Sequence, residues 1–295
     1  MSVLSVIILS NTLDDEIYDM NCKCIESLIV SEDWNKNELR ILLIESNKTN
    51  QYKYNEQIEV IVPQEKFNFN RFLNIGVEQS NSEFIALCNN DIIFRKGWFT
   101  EILKIKKQHF NFMCFSPIDR DYTTMSYELF PEDNAYYTGW KNKYHFAAWC
   151  IVLDRRIFTT IGKLDERFDF YYADDDFLMT LRKYSLDNVL VVNSHVKHLS
   201  QQVTEKVNRK TPFQISDKVK YPIPTRYLNR GFSWLWDDKR FYDAFFRMED
   251  KWGDEKMIRR LNRFFEKFVF LRKRPITRVF YSKFTITLLA KLTRV

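Results

Sequence analysis

The tripeptide Asn89-Asn90-Asp91 is the first group of residues in this sequence that could carry chemistry. It follows an apolar run and offers one carboxylate beside amide oxygens, a ligand set that suits Mg²⁺ or Mn²⁺. The same residue types are equally suited to a turn that closes a strand. The motif therefore indicates either a metal site or a plain strand end.

A second group, Asp174-Asp175-Asp176, places three consecutive carboxylates between Tyr172 and Phe177. A carboxylate held against apolar rings has a raised pKa and becomes a better proton acceptor near neutral pH. Negative charges favoured at a helix N-terminus would explain the same run. The group is a candidate general base or a solvated helix start.

A third candidate is His198, which follows an apolar run and could bind a metal through one ring nitrogen. A single histidine is more often structural, so the residue carries weight only together with the other two groups.

The composition limits the class of protein. With 295 residues, 45% of them hydrophobic and 28% charged, the chain is typical of a globular enzyme rather than a disordered or fibrous protein. Five cysteines without CxxC spacing indicate neither a disulfide framework nor a zinc knuckle. The N-terminal run resembles a first strand rather than a signal peptide, and no apolar run reaches the length of about 18 residues that spans a bilayer. We therefore expect a cytoplasmic protein, with peripheral membrane contact as an alternative.

The positive charge is concentrated at the end of the chain. Residues 251–295 contain 13 Lys or Arg against 3 Asp or Glu, whereas residues 1–250 contain 32 against 36. A nucleic-acid-binding surface would spread cations over the main domain, so we expect no nucleic-acid partner.

Strands and helices alternate in the first 95 residues. Apolar runs at residues 2–9, 39–44 and 84–88 predict strands, and residues 14–30 and 68–79 predict helices. This alternation predicts a parallel sheet covered on both faces, in which ligands bind at the carboxyl ends of the strands. The polar residues after the three strands should therefore converge on one crevice: Ser10-Asn11, Glu45-Ser46 and Asn89-Asn90-Asp91.

The second half predicts a long lid or binding loop at about 117–144, a strand at 146–153 and a strand at 189–192 that leads to His198. From about Gln201, prolines mark a linker, which is followed by helices at 238–252 and 254–272.

The order and spacing of these groups resemble the GT-A-fold glycosyltransferases of the inverting family 2 over about residues 2–200. In the first half, the similar segments are residues 5–10 as the first strand, Cys24–Leu28 (CIESL), Glu45-Ser46-Asn47 at the place of the family's Asp-rich turn, Phe67–Gly76 (FNFNRFLNIG) and Asn89-Asn90-Asp91 at its DxD motif.

In the second half, the similar segments are Ala147–Arg156, Gly162–Phe168 (GKLDERF), Tyr172–Phe177 (YADDDF) and His198 at the interval of the family's metal-binding histidine. The sequence departs from the family at three positions. Asn89 replaces the first Asp of the DxD motif, Ala173 replaces a Glu, and Glu45 or Ser46 stands where the family has a base-binding Asp.

The resemblance implies an α/β, Rossmann-like GT-A fold, in which helices flank a mixed sheet. The catalytic domain would cover residues 1–205, divided into a nucleotide-binding half (1–95) and an acceptor half (96–205). A linker and a basic helical extension would follow at 206–295.

The resemblance also implies inverting transfer of a sugar from a UDP-, GDP- or TDP-sugar to the hydroxyl of a glycan, or of a lipid-linked or protein-linked saccharide. Asp91 and His198 would hold Mn²⁺ or Mg²⁺, and Asp174 would be the catalytic base. Donor contacts are expected from Ser10, Asn11, Glu45, Ser46, Arg71, Asn74, Asn89, Asn90 and Asp91, and acceptor contacts from Trp149, Asp175 and Asp176. Core packing is the alternative for Trp149, and a cap or salt bridge is the alternative for Arg71 and Asn74.

Several alternatives remain open at this point. The basic tail could lie on an anionic membrane, pack on the catalytic domain or bind a partner subunit, including a second copy. The chain could be a non-catalytic protein that binds nucleotide-sugars or glycans, or a nucleic-acid-binding protein that uses its tail. A sugar-nucleotide pyrophosphorylase would need a glycine-rich loop after the first strand, and residues 10–16 contain no glycine.

Overall fold

The computed structural model describes residues 2–35, 38–120, 133–141, 144–199, 239–272 and 275–293. Half of the predicted loop at 117–144, the proline-marked linker and the predicted boundary at residue 205 lie outside these residues.

A mixed nine-stranded sheet forms the centre of the described residues, in the order β3-β2-β1-β4-β8-β6-β9-β5, with β7 paired to β9. Strands β1 to β4 run parallel, whereas β8 pairs antiparallel with both β4 and β6. The strands are β1 (Leu4–Ser10), β2 (Leu39–Glu45), β3 (Ile58–Ile61), β4 (Phe84–Asn89), β5 (Ile92–Phe94), β6 (Cys114–Ile118), β7 (Tyr136–Gly139), β8 (Cys150–Asp154) and β9 (Asn188–His198).

Helices cover both faces of the sheet, as the strand and helix alternation predicts. They are α1 (Asp15–Val30), α2 (Phe69–Gln79), α3 (Trp98–Gln108), α4 (Ile157–Ile161), α5 (Ala173–Lys183), α6 (Lys239–Trp252), α7 (Glu255–Lys267), α8 (Ile276–Phe280) and α9 (Lys283–Leu292). Side chains cap the first turns of α1 and α2, because Asp14 accepts a hydrogen bond from the Ile17 amide and Asn68 accepts one from the Arg71 amide.

Several predicted elements have different bounds in the structure: the strand expected at 189–192 extends over Asn188–His198, and β7 lies within the loop expected at about 117–144. The strand expected at 146–153 begins only at Cys150, because a turn closed by the Cys150 amide and the Ala147 carbonyl (3.0 Å) precedes it. The helix expected at 254–272 ends at Lys267, and a short 3₁₀ turn at Val269–Leu271 follows it.

The sheet register brings the predicted polar strand ends together. Ser10 lies opposite Glu45, and Leu9 lies opposite Asn89. The carboxyl ends of β1, β2 and β4 therefore meet at one edge of the sheet.

The core has one half on each face of the sheet. On one face, α1 and α3 pack through side chains that include Leu28, Trp98 and Ile102. On the other face, α2 and α5 share a continuous apolar cluster with the C-terminal helices, whose buried members include Trp252, Leu261 and Ile286. The C-terminal helices are therefore part of the same core as α5.

Within the described residues, no helix combines the length and the apolar character required to cross a membrane.

Gly76 allows α2 to lie directly on β1. A Cβ atom at this position would come within 2.6 Å of Ile7 Cγ2, a buried atom of the strand. Real contacts are never this short, so a larger residue would push α2 away from the sheet.

We predict that Gly76→Ala lowers the free energy of unfolding by about 1–3 kcal/mol, because the added methyl group overpacks the interface between α2 and β1. Chemical denaturation measures the effect. The double variant Gly76→Ala/Ile7→Ala removes the side-chain atoms that clash, so it should be less destabilised than the two single variants added together. Strict additivity would contradict the proposed contact.

Candidate functional site

A cavity of about 290 Å³ opens at the carboxyl ends of the central strands. It brings together four predicted site residues that are far apart in sequence: Asn89, Trp149, Asp174 and His198. The remaining lining residues are mostly apolar: Phe69, Asn70, Leu73, Leu87, Cys88, Ala148, Ile151, Leu164, Phe170, Ala173 and Phe177. A small polar set inside an apolar cavity is typical of a ligand site.

Strand pairing places the two predicted metal ligands next to each other. Strand β5 runs antiparallel to β9 with Ile92 opposite His198, and the Leu199 amide donates to the Asp91 carbonyl at 2.9 Å. As a result, His198 Nε2 lies 3.3 Å from Asp91 Oδ2. The neighbouring strand β4 leads directly into Asn89 and Asn90, so the predicted metal motif and the histidine share one corner of the site.

The carboxylate of Asp91 has one oxygen that receives no hydrogen bond from the part of the chain that the structure describes. Asp91 is buried, and its Oδ1 has no hydrogen-bond partner among the described residues. A buried carboxylate oxygen without a donor is costly, and a cation would satisfy it. Among the same residues, no three or more His, Cys, Asp or Glu side chains gather into a group that could hold a metal by themselves.

His198 is held from two further directions. Its ring stacks on Trp149, with ring centroids 5.3 Å apart and planes 12° apart. Its amide donates to Asp119 Oδ2 at 2.7 Å. Trp149 in turn accepts a hydrogen bond at its carbonyl from the Asn89 amide at 2.9 Å, so this one residue joins the histidine to the predicted metal motif.

Asn21 is a site residue that the sequence did not single out. It is fully buried in α1, and its Nδ2 lies 2.8–2.9 Å from the hydroxyls of Ser10, Thr12 and Tyr54. Its Oδ1 accepts a hydrogen bond from Asn90 Nδ2 at 2.7 Å. The available signal was periodicity, because Asn21 occupies a buried position of α1 where helical spacing calls for an apolar residue.

Glu45 has a closed set of contacts at the end of β2. The side chain is fully buried, and its carboxylate accepts hydrogen bonds from the Thr12 amide (3.1 Å), the Thr12 hydroxyl (2.5 Å) and the Asn47 amide (2.7 Å). Ser46 reaches back to the Ser10 carbonyl through its amide and its hydroxyl, both at 2.9 Å. Asn11 is half-buried between these two turns. A direct contact between Glu45 and a ligand would require one of its bonds to open.

Arg71 and Asn74, predicted to touch the donor, bind the turn that precedes α5. Arg71 Nε lies 2.8 Å from Glu166 Oε2, and Asn74 exchanges hydrogen bonds with the Leu164 backbone and donates to Glu166 Oε1. The hydrogen bonds from Arg71 and Asn74 lower the pKa of Glu166. The salt-bridge alternative for Arg71 is what the structure contains, and α2 thereby fixes the position of residues 164–166.

The three aspartates at the start of α5 have three different surroundings. Asp174 lines the cavity, and Asp175 is half-buried. Asp176 is buried, with its carboxylate 2.6 Å from Trp252 Nε1 and 2.7 Å from Lys251 Nζ. This contact differs from the predicted contact with an acceptor, because Asp176 faces helix α6 rather than the cavity.

Helix α6 contacts the segment at residues 165–172 that precedes α5. Tyr172, which begins α5 with a left-handed backbone (φ 62°), packs against Phe241 with ring centroids 5.5 Å apart. Arg247 donates to the Arg167 carbonyl at 2.7 Å. A non-glycine residue in this conformation is strained, so packing from α6 helps to stabilise the turn that places Asp174 on the cavity.

Burial raises the pKa of Asp176, and the neighbouring Lys251 opposes that rise. We predict that Lys251→Met lowers the free energy of unfolding near neutral pH by about 3 kcal/mol, because it leaves a buried carboxylate without its cation. Without Lys251, the folded carboxyl binds a proton more readily than the unfolded one. The deficit should therefore shrink as the pH falls below neutrality.

The double variant Lys251→Met/Asp176→Asn provides the control, since it removes both charges and should regain much of the lost stability. Thermal unfolding across a pH series measures both variants. A deficit that is independent of pH, or a double variant no more stable than Lys251→Met, would contradict the proposed ion pair.

No protein-family model matches this sequence, and no curated protein matches it. Solved structures do match. S. aureus TarS 1-349 is 13% identical over 95% of this chain and 91% of that structure, with a TM-score of 0.51. A longer S. aureus TarS structure is 12% identical over 95% of this chain, with a TM-score of 0.52. GalNAc-T7, in a crystal structure with UDP, GalNAc and Mn²⁺, is 12% identical over 67% of this chain, with a TM-score of 0.51.

This chain spans 44% of the GalNAc-T7 structure and 55% of the longer TarS structure. The matches at such low identity concern the fold. The chain has the GT-A glycosyltransferase fold, a mixed α/β sheet flanked by helices, as the motif order predicted.

Proposed function

We propose that this protein is an inverting glycosyltransferase that moves a sugar from a nucleotide-sugar to an acceptor hydroxyl with the help of a divalent metal. The cavity that unites Asn89, Trp149, Asp174 and His198 on a GT-A fold carries this proposal. A possible metal-binding pair, Asp91 and His198, and a carboxylate, Asp174, at the same site are the two parts that such a transfer needs.

The donor would bind along the edge formed by the ends of β1, β2 and β4. Ser10, Asn11 and Ser46 lie at two of these strand ends, and Asn89 and Asn90 lie at the third. The buried Asn21 ties Ser10 to Asn90, so the two sides of the donor site are held at a fixed separation. The bound UDP in the GalNAc-T7 structure supports a uridine nucleotide as the first donor to test.

Asp91 and His198, which we call the metal corner, fit Mn²⁺ or Mg²⁺. Asp91 offers a buried oxygen that has no donor among the described residues, and His198 lies beside it. Two protein ligands are sufficient for such ions, because Mg²⁺ in nucleotide sites is commonly held by one or two carboxylates together with substrate phosphates and water. The Mn²⁺ in the GalNAc-T7 structure supports this assignment. When bound, the cation would neutralise the negative charge that develops on the departing diphosphate.

Asp174 would accept the proton of the acceptor hydroxyl as the acceptor oxygen forms its bond to the anomeric carbon. The bond between that carbon and the diphosphate breaks on the opposite face, and inversion follows from this geometry. Trp149 would present its ring to the apolar face of a sugar, and Asp175 would accept hydrogen bonds from acceptor hydroxyls. One face of the Trp149 ring is covered by His198. Trp149 would therefore contact both the proposed metal ligand and the acceptor sugar.

We assign supporting roles to four of the residues predicted to touch substrates. Glu45 holds the turns at the ends of β1 and β2, and Asp176 anchors α5 to α6. Arg71 and Asn74 hold the turn at residues 164–166. Each of these side chains uses its polar atoms on neighbouring protein groups, so substitution should affect positioning of the site rather than remove a substrate contact.

The first prediction from this proposal concerns the metal. Asp91→Asn keeps the shape of the side chain but removes its charge, so affinity for UDP in the presence of Mn²⁺ should fall by about tenfold. Isothermal titration calorimetry measures it. In the presence of EDTA, the wild-type protein and the variant should bind UDP equally. Equal affinity with Mn²⁺ present would remove Asp91 from the metal site.

The second prediction concerns the base. Asp174→Asn should lower kcat by about 100- to 10,000-fold, because the acceptor hydroxyl loses its proton acceptor, while the affinity for the donor stays the same. Asp175→Asn is the matched neighbour and should raise the acceptor KM more than it lowers kcat. A panel of UDP-, GDP- and TDP-sugars with Mn²⁺ identifies the donor. If Asp174→Asn retained the wild-type kcat, the base would lie elsewhere.

A non-catalytic nucleotide-sugar-binding protein is the second candidate, favoured by Asn89 in place of an acid and by the lack of a three-ligand cluster in the described part of the chain. It would bind a donor in the same panel without hydrolysis or transfer. Binding without turnover over all donors would favour this candidate, and turnover of any donor would exclude it.

A further inference from the structure

The C-terminal helices leave a second set of large apolar side chains on the outside of the protein. Phe284, Leu288 and Leu292 follow one another at four-residue intervals along α9, and therefore form a single stripe on that helix. Phe284 is 78% exposed and Leu292 is 70% exposed. Further exposed apolar residues lie on the neighbouring helices and turns: Phe264, Val269, Phe270, Ile276 and Val279.

These exposed residues are distinct from the side chains that attach the helices to the core. Helix α7 packs inward through residues that include Leu261 and Phe265, and α9 packs inward through Ile286. The outward stripe of α9 therefore remains exposed among the described residues. An exposed apolar surface of this kind on a folded protein marks an interaction site.

The same helices also carry exposed cations. Arg260, Arg263 and Lys267 lie on the outward face of α7 around Phe264, and the other exposed cations of the region are Arg259, Arg278, Lys283 and Lys291. Arg259 pairs with Glu255, and Lys283 pairs with Asp250. Within the described residues from 254 onward, all acidic side chains are partly buried. We call these exposed apolar and basic side chains, which lie in residues 259–270 and 276–292, the basic-apolar surface.

The charge of the basic-apolar surface selects its partner. A second copy of the chain would bring like charges together, and that contact is unfavourable. An anionic bilayer matches both properties, because its headgroups attract Lys and Arg and its interface accepts apolar side chains. We propose that the basic-apolar surface binds the protein peripherally to anionic lipid membranes. This proposal does not depend on the proposed sugar transfer.

The test uses the full chain and large unilamellar vesicles, one set of phosphatidylcholine alone and one set that also contains phosphatidylglycerol. We expect co-sedimentation with the phosphatidylglycerol vesicles, little with phosphatidylcholine alone, and release as salt is added. Arg260→Glu/Arg263→Glu/Lys267→Glu should weaken the binding by about a hundredfold, because each cation near the surface contributes to the attraction. Phe284→Ser/Leu288→Ser/Leu292→Ser should weaken it by about tenfold.

Val30→Ser/Phe110→Ser is the matched control, since both residues are well exposed but lie in the first half of the chain. It should bind vesicles like the wild-type protein. Thermal unfolding of each variant establishes that the fold is retained. The proposal is overturned if the protein binds both vesicle types equally, if it binds neither, or if the control weakens binding as much as the α9 variant. It is also overturned if sedimentation velocity shows a dimer that the α9 substitutions dissociate.

Discussion

Strand β9 has to satisfy three pairing partners at once, and the site depends on that constraint. It runs parallel to β6, antiparallel to β7 and antiparallel to β5 along its eleven residues. A shift of register by one residue would turn every side chain of the strand to the other face. Its pairing with β6 and β7 therefore fixes the far end of the strand, where His198 meets Asp91. The position of a proposed metal ligand is set by backbone pairing along the whole strand, from Asn188 to His198 itself.

A buried ion pair fixes the position of α5, the helix that carries Asp174. Asp176 belongs to the first turn of α5 and is held by Lys251 and Trp252 at the end of α6. Removing a carboxylate from water is unfavourable unless cations and donors compensate for it. Replacing both charges together would therefore change the stability little, whereas breaking the pair is costly, and its contacts hold α5 against α6. That arrangement places Asp174, two residues away, on the cavity.

The sequence predicted the parts of this molecule that depend on local pattern. Alternating apolar runs predicted β1, β2, β4, α1 and α2, and the order of short motifs predicted that Asn89, Trp149, Asp174 and His198 would share a site. Contacts between distant segments could not be predicted. No residue near Asp176 in the sequence predicts its ion pair with Lys251. The hydrogen bonds between Asn74 and Leu164 depend on how α2 packs against a turn 90 residues later.

The partners of buried polar residues could not be predicted from the sequence, for a related reason. Glu45 and Asn21 look like ligand-binding or surface residues by type, yet both are fully buried and bonded to protein groups. The residue type predicts which bonds a side chain can make, whereas the fold decides whether protein or ligand supplies the partners. Periodicity is the one sequence signal that distinguishes the two cases, and it is available for Asn21 in α1 but not for Glu45 at a strand end.

The contact between α5 and α6 also has a consequence for the order in which the protein can be completed during synthesis. Domains begin to fold from the N-terminus while the ribosome is still adding residues. The β1, β2 and β4 ladder, with the proposed donor-binding edge, is available early, because all of its strands precede residue 90. Lys251 and Trp252 emerge more than 70 residues after Asp176, so the α5 side of the cavity stays unsupported until then. A nascent chain thus forms the proposed nucleotide-binding edge long before α6 anchors the helix that carries the proposed base. The two halves of the proposed site therefore form at different times.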